Sequence, residues 1–278
     1  MKIKYLGTGG GAGIPEMFCN CRICENARRI QGNELRSRPL ALVDDELCID
    51  LPCDARDSFL RHNADAQQIR WLFITHNHYD HFLAENLISR PEGCKYPLDV
   101  YISRASGKEI AEKIAMIKNA PKTAMRPIRC PNVHFLEPYS EVCCGKYSVI
   151  PLVANHARSL ETMNFIVSDS NRSILWLHDT GTLLEETFEF LQTSKRYFDF
   201  ISMDCALPRN WDNYNEHMNI INCGRTAQML RGIGCLDDNS MIFLSHIGHL
   251  VDRTHAELCD EAKEFGFNVA FDGEEIIF

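Results

Sequence analysis

Apolar residues recur along this chain with two different periods. Short apolar or alternating runs read as strands at Lys2–Leu6, Leu40–Val43, Leu47–Asp50, Trp71–Ile74, Val100–Ile102, Ser148–Val153, Asn164–Val167, Ser173–Leu177, Phe200–Met203, Met241–Leu244 and Glu275–Phe278. Longer segments with helical spacing fall at Pro52–Arg61, Ser106–Met116, Leu183–Thr193, Ile220–Arg231 and His255–Phe265. The early strands follow one another as in hairpins, and the later ones alternate with helices. This mixture fits two mixed β-sheets packed face to face with helices outside; spacing alone gives an α/β or α+β domain. No internal repeat, low-complexity tract or long linker divides residues 1–278, so a single domain is expected.

Composition adds limits. The chain has 278 residues, 45% hydrophobic and 24% charged, enough for a large core without covalent staples. Its net charge of -9 argues against a general nucleic-acid binder. Met1-Lys2-Ile3-Lys4-Tyr5-Leu6 runs into a strand pattern without a signal-peptide layout, and no stretch is apolar enough to span a membrane. The expectation is a cytoplasmic protein. Thirteen cysteines then read as free thiols or metal ligands. Scattered Cys48, Cys94, Cys130, Cys143, Cys144, Cys205, Cys223, Cys235 and Cys259 read as small buried hydrophobes.

The chemistry concentrates after the Trp71–Ile74 run, in Thr75-His76-Asn77-His78-Tyr79-Asp80-His81. Imidazole and carboxylate ligands suit zinc, or manganese where oxygen ligands share the site. On an extended backbone His76 and His78 face one side and can grip one ion. Asp80 and His81 are adjacent; a helix over Phe82 to Ser89 would let them address a second. His156, Asp179 and His246 also follow apolar runs, each at a strand tip. Cys19-Asn20-Cys21-Arg22-Ile23-Cys24 has the spacing C-x-C-x-x-C, a structural-zinc signal that needs a fourth ligand, a histidine elsewhere. Gly7-Thr8-Gly9-Gly10-Gly11-Ala12 formally matches a dinucleotide fingerprint. Gly13-Ile14-Pro15 follows instead of a helix, so these glycines read as a tight loop near the metal cleft, without a nucleotide cofactor.

In this order His76, His78, Asp80, His81, His156, Asp179 and His246 resemble the ligand set of the metallo-β-lactamase superfamily. The resemblance implies a four-layer αββα sandwich and a dinuclear hydrolytic site. It places one metal on His76, His78 and His156, the other on Asp80, His81 and His246, and Asp179 between them. Gly7-Thr8-Gly9-Gly10 with Pro15, the cysteine cluster, Asp50, Asp54 and His246-Ile247-Gly248-His249 are similar to the cyclic-phosphate phosphodiesterases of phosphonate degradation. That likeness implies a structural zinc on Cys19, Cys21, Cys24 and His249, in a zinc-binding loop near 15–30. It also suggests His217 as general acid at its ordinary pKa, and a small, possibly cyclic phosphodiester as substrate. Leu51-Pro52-Cys53 stands where that family has Gly-Pro, and Phe82-Leu83-Ala84-Glu85-Asn86-Leu87 replaces its Gly-Leu-Asp-Asp.

The expected chemistry is hydrolysis by a metal-bridged hydroxide that Asp80 helps orient, with zinc or manganese as the pair of active-site ions. Competing readings are a tRNA 3′-end nuclease, a thioester or lactone hydrolase of the same superfamily, and a metal-binding sensor without turnover. The expected partner is the small-molecule substrate, with neither membrane nor nucleic acid; a homodimer stays open.

Overall fold

Strands that bury side chains on both faces need a covering layer on each, and this chain supplies both. The computed structural model describes residues 1–88, 90–119, 129–211 and 215–278. The first sheet contains β1 (Lys2–Gly7), β2 (Leu40–Val43), β3 (Leu47–Ile49), β4 (Trp71–Phe73), β5 (Asp99–Ile102) and β6 (Asn132–Phe135). The second contains β7 (Val142–Cys144), β8 (Tyr147–Val153), β9 (Met163–Ser168), β10 (Ser173–Leu177), β11 (Phe200–Asp204), β12 (Met241–Ser245) and β13 (Asn268–Val269). The last strand, β14 (Glu275–Ile277), returns to the first sheet and pairs antiparallel with β1. Both sheets are mixed: β3 to β6 run parallel, as do β10 to β13, beside antiparallel neighbours.

The period-two pattern sorts side chains between layers. On β10, Ile174 and Trp176 enter the core between the sheets, while Leu175 and Leu177 face the helices. On β2, Ala41 and Val43 point inward and Leu40 and Leu42 outward. Tyr5, Phe73, Phe165, Phe200 and Phe243 fill the middle layer, where Tyr5 donates a 2.7 Å hydrogen bond to Ser202 of the opposite sheet. That bond satisfies two hydroxyls that would otherwise be costly to bury. Helices α1 (Arg22–Ile30), α2 (Ala55–Arg61), α3 (Glu85–Ile88), α4 (Arg104–Asn119), α5 (Glu185–Ser194), α6 (Ile220–Gly232) and α7 (His255–Lys263) complete the outer layers. Those on the first sheet share an apolar cluster around Phe59, Leu72 and Ile110; those on the second pack around Leu191, Leu230 and Leu258. The architecture is the expected αββα sandwich.

Three expectations change. The segment near 15–30 is not a loop throughout, because residues 22–30 form α1, with Cys21 at its N-cap. The helix expected over Phe82 to Ser89 reduces to Glu85–Ile88; Ser89 lies outside the described residues. Among the scattered cysteines, Cys143 is exposed and Cys94, Cys130 and Cys259 are partly so, whereas Cys48, Cys144, Cys205, Cys223 and Cys235 are buried. Among the described residues no helix is long and apolar enough to cross a membrane.

A capping box starts α7: Thr254 accepts from the Glu257 N–H, and Glu257 accepts from the Thr254 N–H. Arg22, first residue of α1, donates to both Glu257 carboxylate oxygens at 2.9 and 3.1 Å. The Arg22 contact and the cap hold the Glu257 pKa down to about 2. A depressed carboxylate contributes stability above its unfolded pKa and loses it as pH falls through the folded value. Thr254→Ala should therefore cost about 1 kcal/mol of stability in denaturant titration. Glu257→Gln should flatten the loss of stability between pH 4.5 and about 2 relative to the parent.

Candidate active site

Every expected ligand of the main cluster sits just beyond a strand end, where a rigid element can aim it. His76, His78, Asp80 and His81 follow β4; His156 follows β8; Asp179 follows β10; His246 follows β12. A tight turn, rather than a helix, separates the adjacent Asp80 and His81: the N–H groups of His81 and Phe82 both donate to the His78 carbonyl.

Three groups share Asp179; two hold the expected ligands, and the third joins Asp179 to Asp204, His217 and His246. In the first, His76 Nε2 lies 2.8 Å from His78 Nδ1 and 3.2 Å from Asp179 Oδ2. His156 Nε2 joins it, 3.4 Å from both His78 Nδ1 and Asp179 Oδ2. In the second, His81 Nε2 lies 3.1 Å from Asp179 Oδ2, 3.2 Å from His246 Nε2 and 3.6 Å from Asp80 Oδ2. His246 Nε2 is 2.6 Å from Asp179 Oδ1, which nevertheless has no aligned hydrogen bond. Within each group the ligand atoms lie within 4.8 Å of one another.

This donor set fits divalent metal ions. Ring nitrogens converge on one another, an arrangement that aligned hydrogen bonds leave only partly satisfied. Ligands at ordinary zinc distances around a tetrahedron sit about 3.4 Å apart, close to the spacings here. Burial, helped by the neighbouring His81, pushes the His76 pKa down to about 3, which leaves its lone pair available. Burial opposes charge on Asp179, but His246 and His81 outweigh it and hold the carboxyl well below its usual range.

A second set of groups orients the first. Asp50 Oδ2 is 2.7 Å from His81 Nδ1, and Asp50 Oδ1 accepts from the Thr75 N–H and hydroxyl at 2.8 and 2.9 Å. This fixes the tautomer that turns the His81 Nε2 lone pair toward the cluster. The Gly11 N–H donates to Asp80 Oδ2 at 2.9 Å, and a Cβ on Gly10 would meet the His246 ring at 2.7 Å. The glycine run is thus a close-fitting loop against the cleft, as its sequence context implied. Asp50, Asp179 and His246 all have positive φ, at 64°, 46° and 56°, which is strained backbone for non-glycine residues.

His217 stands beside both groups. Its Nδ1 is 2.7 Å from Asp204 Oδ2, and its ring stacks on His246 with centroids 5.5 Å apart. Burial lowers its pKa, but Asp204 and then Asp179 outweigh this and raise it to about 9, above the ordinary value expected. Sequence reasoning missed Asp204, the fully buried last residue of β11, which also faces His246 Nδ1 at 3.5 Å. It obeys the same rule as Asp179, an acid at the tip of an apolar run. His178, beside Asp179, instead bonds Ser202 at 2.7 Å and packs on Trp176.

The cysteine group assembles separately. Cys19 and Cys21 sulfurs lie 3.3 and 3.4 Å from His249 Nδ1, with Cys24 in the same group. Burial disfavours the Cys21 thiolate, but the Cys24 N–H and His249 outweigh it and lower its pKa to about 6. A ready thiolate at a helix N-terminus is a good metal ligand.

Asp50→Asn keeps a residue tolerant of positive φ but offers an N–H to His81 Nδ1, displacing its proton to Nε2. It should lower the affinity of the second group for zinc by about 10- to 100-fold in a competition titration, with unfolding otherwise little changed.

Residues 49–264 match the model of the Beta-lactamase superfamily domain. The fold is similar to that of a diphosphatase of the PhnP family (TM-score 0.76, 20% identity, 100% of this chain and 97% of that one). It is also similar to zinc-bound PqqB from Methylobacterium extorquens (TM-score 0.72, 15% identity, 100% of both chains). Human short-form tRNase Z gives a TM-score of 0.69 at 15% identity, over 100% of this chain and 99% of that one. In sequence, 83 residues are 31% identical to an octanoyltransferase of Porphyromonas gingivalis, a match spanning 29% of this chain and only 16% of that protein. With most of its length matched and its strand-end ligands grouped around one aspartate, the chain belongs to the metallo-β-lactamase superfamily of hydrolases.

Proposed function

We propose that the protein is a metal-dependent phosphodiesterase acting on a small, possibly cyclic, phosphodiester. The observation that carries this reading is the pair of ligand groups sharing Asp179, with the His217–Asp204 pair at their side. Fold likeness to a diphosphatase and to a tRNase, both named for breaking phosphorus–oxygen bonds, supports phosphorus as the electrophile. The net charge of -9 favours a small substrate over a long RNA.

In this reading His76, His78, His156 and Asp179 hold one divalent ion, and Asp80, His81, His246 and Asp179 hold the other. Bound there, the ions would supply an acidified water and offset charge growing on the phosphoryl oxygens. The chain's own groups do the rest. Gly11 fixes the Asp80 carboxylate, Asp50 fixes His81, and the αL turns at Asp179 and His246 aim both side chains inward. Asp204 binds His217 through Nδ1 and favours its charged form, so His217 is the group that delivers a proton to the leaving alkoxide. The Cys19, Cys21, Cys24 and His249 group holds a structural zinc.

His76→Ala should abolish hydrolysis of bis-p-nitrophenyl phosphate and lower metal content; wild-type turnover that survives chelators would exclude a metal-dependent reaction. His217→Ala should slow alkyl phosphodiesters by about 100-fold or more, and p-nitrophenyl esters far less, since that leaving group needs no proton. Equal losses on both would remove His217 from the acid role. Cys21→Ser should release zinc and lower the melting temperature while the active-site ions stay bound. Activity lost with zinc retained would contradict a purely structural cluster.

A further inference from the structure

Arg36 is a buried cation, 4% exposed, that belongs to none of the ligand groups and has no part in the proposed chemistry. Burying a guanidinium is costly unless its N–H groups are met. Here Nη1 donates 2.7 Å hydrogen bonds to both the Thr8 hydroxyl and the Ala270 carbonyl, and Nη2 lies 3.0 Å from His255 Nδ1. A guanidinium can only donate, so His255 accepts through Nδ1. Burial and then Arg36 hold the His255 pKa down to about 4, which keeps that ring neutral. The Thr8 hydroxyl accepts from Arg36 and donates in turn to Asp272 Oδ1 at 2.7 Å. Asp272 also accepts from the Thr8 and Ser37 N–H groups at 2.9 and 2.5 Å. One hydroxyl therefore joins a buried cation to a carboxylate, and its proton has a single direction.

What this relay holds is the glycine loop. From Gly7 to Gly11 the one residue that is not glycine is Thr8, so Thr8 carries the one side chain that can anchor a stretch of permissive backbone. The loop meets the second ligand group at two points. The Gly11 N–H donates to Asp80 Oδ2, and Gly10 lies so close to the His246 ring that a Cβ would not fit. Thr8 also reaches His246 through the backbone, because its carbonyl accepts from the N–H of the next residue, Ile247, at 2.9 Å. Asp80 and His246 are both in the group with His81, and neither is in the group of His76, His78 and His156. The loop therefore bears on one ion of the proposed pair.

We propose that Arg36 is a positioning residue for the second metal group: through Thr8 and Asp272 it sets the glycine loop that holds Asp80 and His246 in place. It touches neither ion nor substrate. Its effect is selective, since the first group draws no support from this loop beyond the shared Asp179. The proposal rests on the two-ion part of the proposed function and is independent of which substrate is cleaved.

The test measures zinc affinity group by group, by competition titration of the metal-free protein against a chelator. A His78→Ala background leaves only the second group complete, and an Asp80→Ala background only the first. Arg36→Lys keeps the charge but offers one nitrogen where the fork meets three acceptors. Thr8→Val removes the hydroxyl of the relay, and Thr8→Ser keeps it. Arg36→Lys and Thr8→Val should each weaken zinc binding by about tenfold in the His78→Ala background and by less than about twofold in the Asp80→Ala background. Thr8→Ser should restore the affinity that Thr8→Val loses. Equal losses in both backgrounds, or no loss in either, overturn the proposal, because a general loosening of the fold has no preference between the groups. Should Arg36→Lys fail to fold, Thr8→Val against Thr8→Ser carries the comparison. If the His78→Ala protein takes up no zinc beyond the cysteine group, the two-ion reading falls. The crystal structure of metal-free Thr8→Val then decides the proposal: a broken Gly11–Asp80 contact supports it, and an unmoved loop overturns it.

Discussion

The carboxylate of Asp179 is the point on which the rest of the structure depends. Four strand-end imidazoles, with His217 behind them at 3.7 Å, approach it, from His76, His81, His156 and His246, at 3.2, 3.1, 3.4 and 2.6 Å. They come from both sheets, since β4 belongs to the first and β8, β10 and β12 to the second. A shared ligand of this kind requires the two sheets to be held in fixed register. The aromatic layer between them, with the Tyr5 to Ser202 hydrogen bond, supplies that register. Packing here acts on function directly, because each ligand group draws members from both sheets and a slip of one sheet on the other would split both groups.

Holding the cluster has a local cost. Asp50, Asp179 and His246 leave their strands through left-handed backbone, at a cost on the order of 1–3 kcal/mol each. The buried strands before them, Leu47–Ile49, Ser173–Leu177 and Met241–Ser245, offset it through packed apolar side chains. Side-chain hydrogen bonds then fix the strained residues, most clearly where Thr75 and His81 converge on Asp50. The strain and the chemistry share positions because an αL turn redirects the side chain that follows an extended run.

Much of this was legible in the sequence. The buried strands announced themselves as apolar runs, and the ligands as polar residues at their tips. The strand Asn132–Phe135 was missed because most of its side chains are exposed, so it lacks the apolar pattern; Asn268–Val269 is too short to show a period. Helix α1 was hidden because its buried positions are only Ile23, Cys24 and Ala27, inside a segment dominated by cysteines and charges. The ligand groups followed from spacing and resemblance together, whereas Asp204 did not. Its partner His217 is 13 residues away, and nothing local marks an acid that works through tertiary contact. The turn at Asp80 and His81 was similarly unreadable, since its defining hydrogen bonds run from backbone to backbone.

The segment Ser245–His249 places His246 in the active-site group and His249 in the cysteine group. Ile247, between them, is clamped to the glycine loop: its N–H donates to the Thr8 carbonyl at 2.9 Å, and its carbonyl accepts from Gly10 at 3.2 Å. Three residues of chain span at most about 11 Å, so this stretch has little slack. Its length is consequently as fixed as its ligands. Rim segments elsewhere can gain or lose residues and reshape the mouth of the cleft. A single insertion or deletion between His246 and His249 would remove one histidine or the other from its group, so divergence of this chain toward new substrates is confined to the lips around that span.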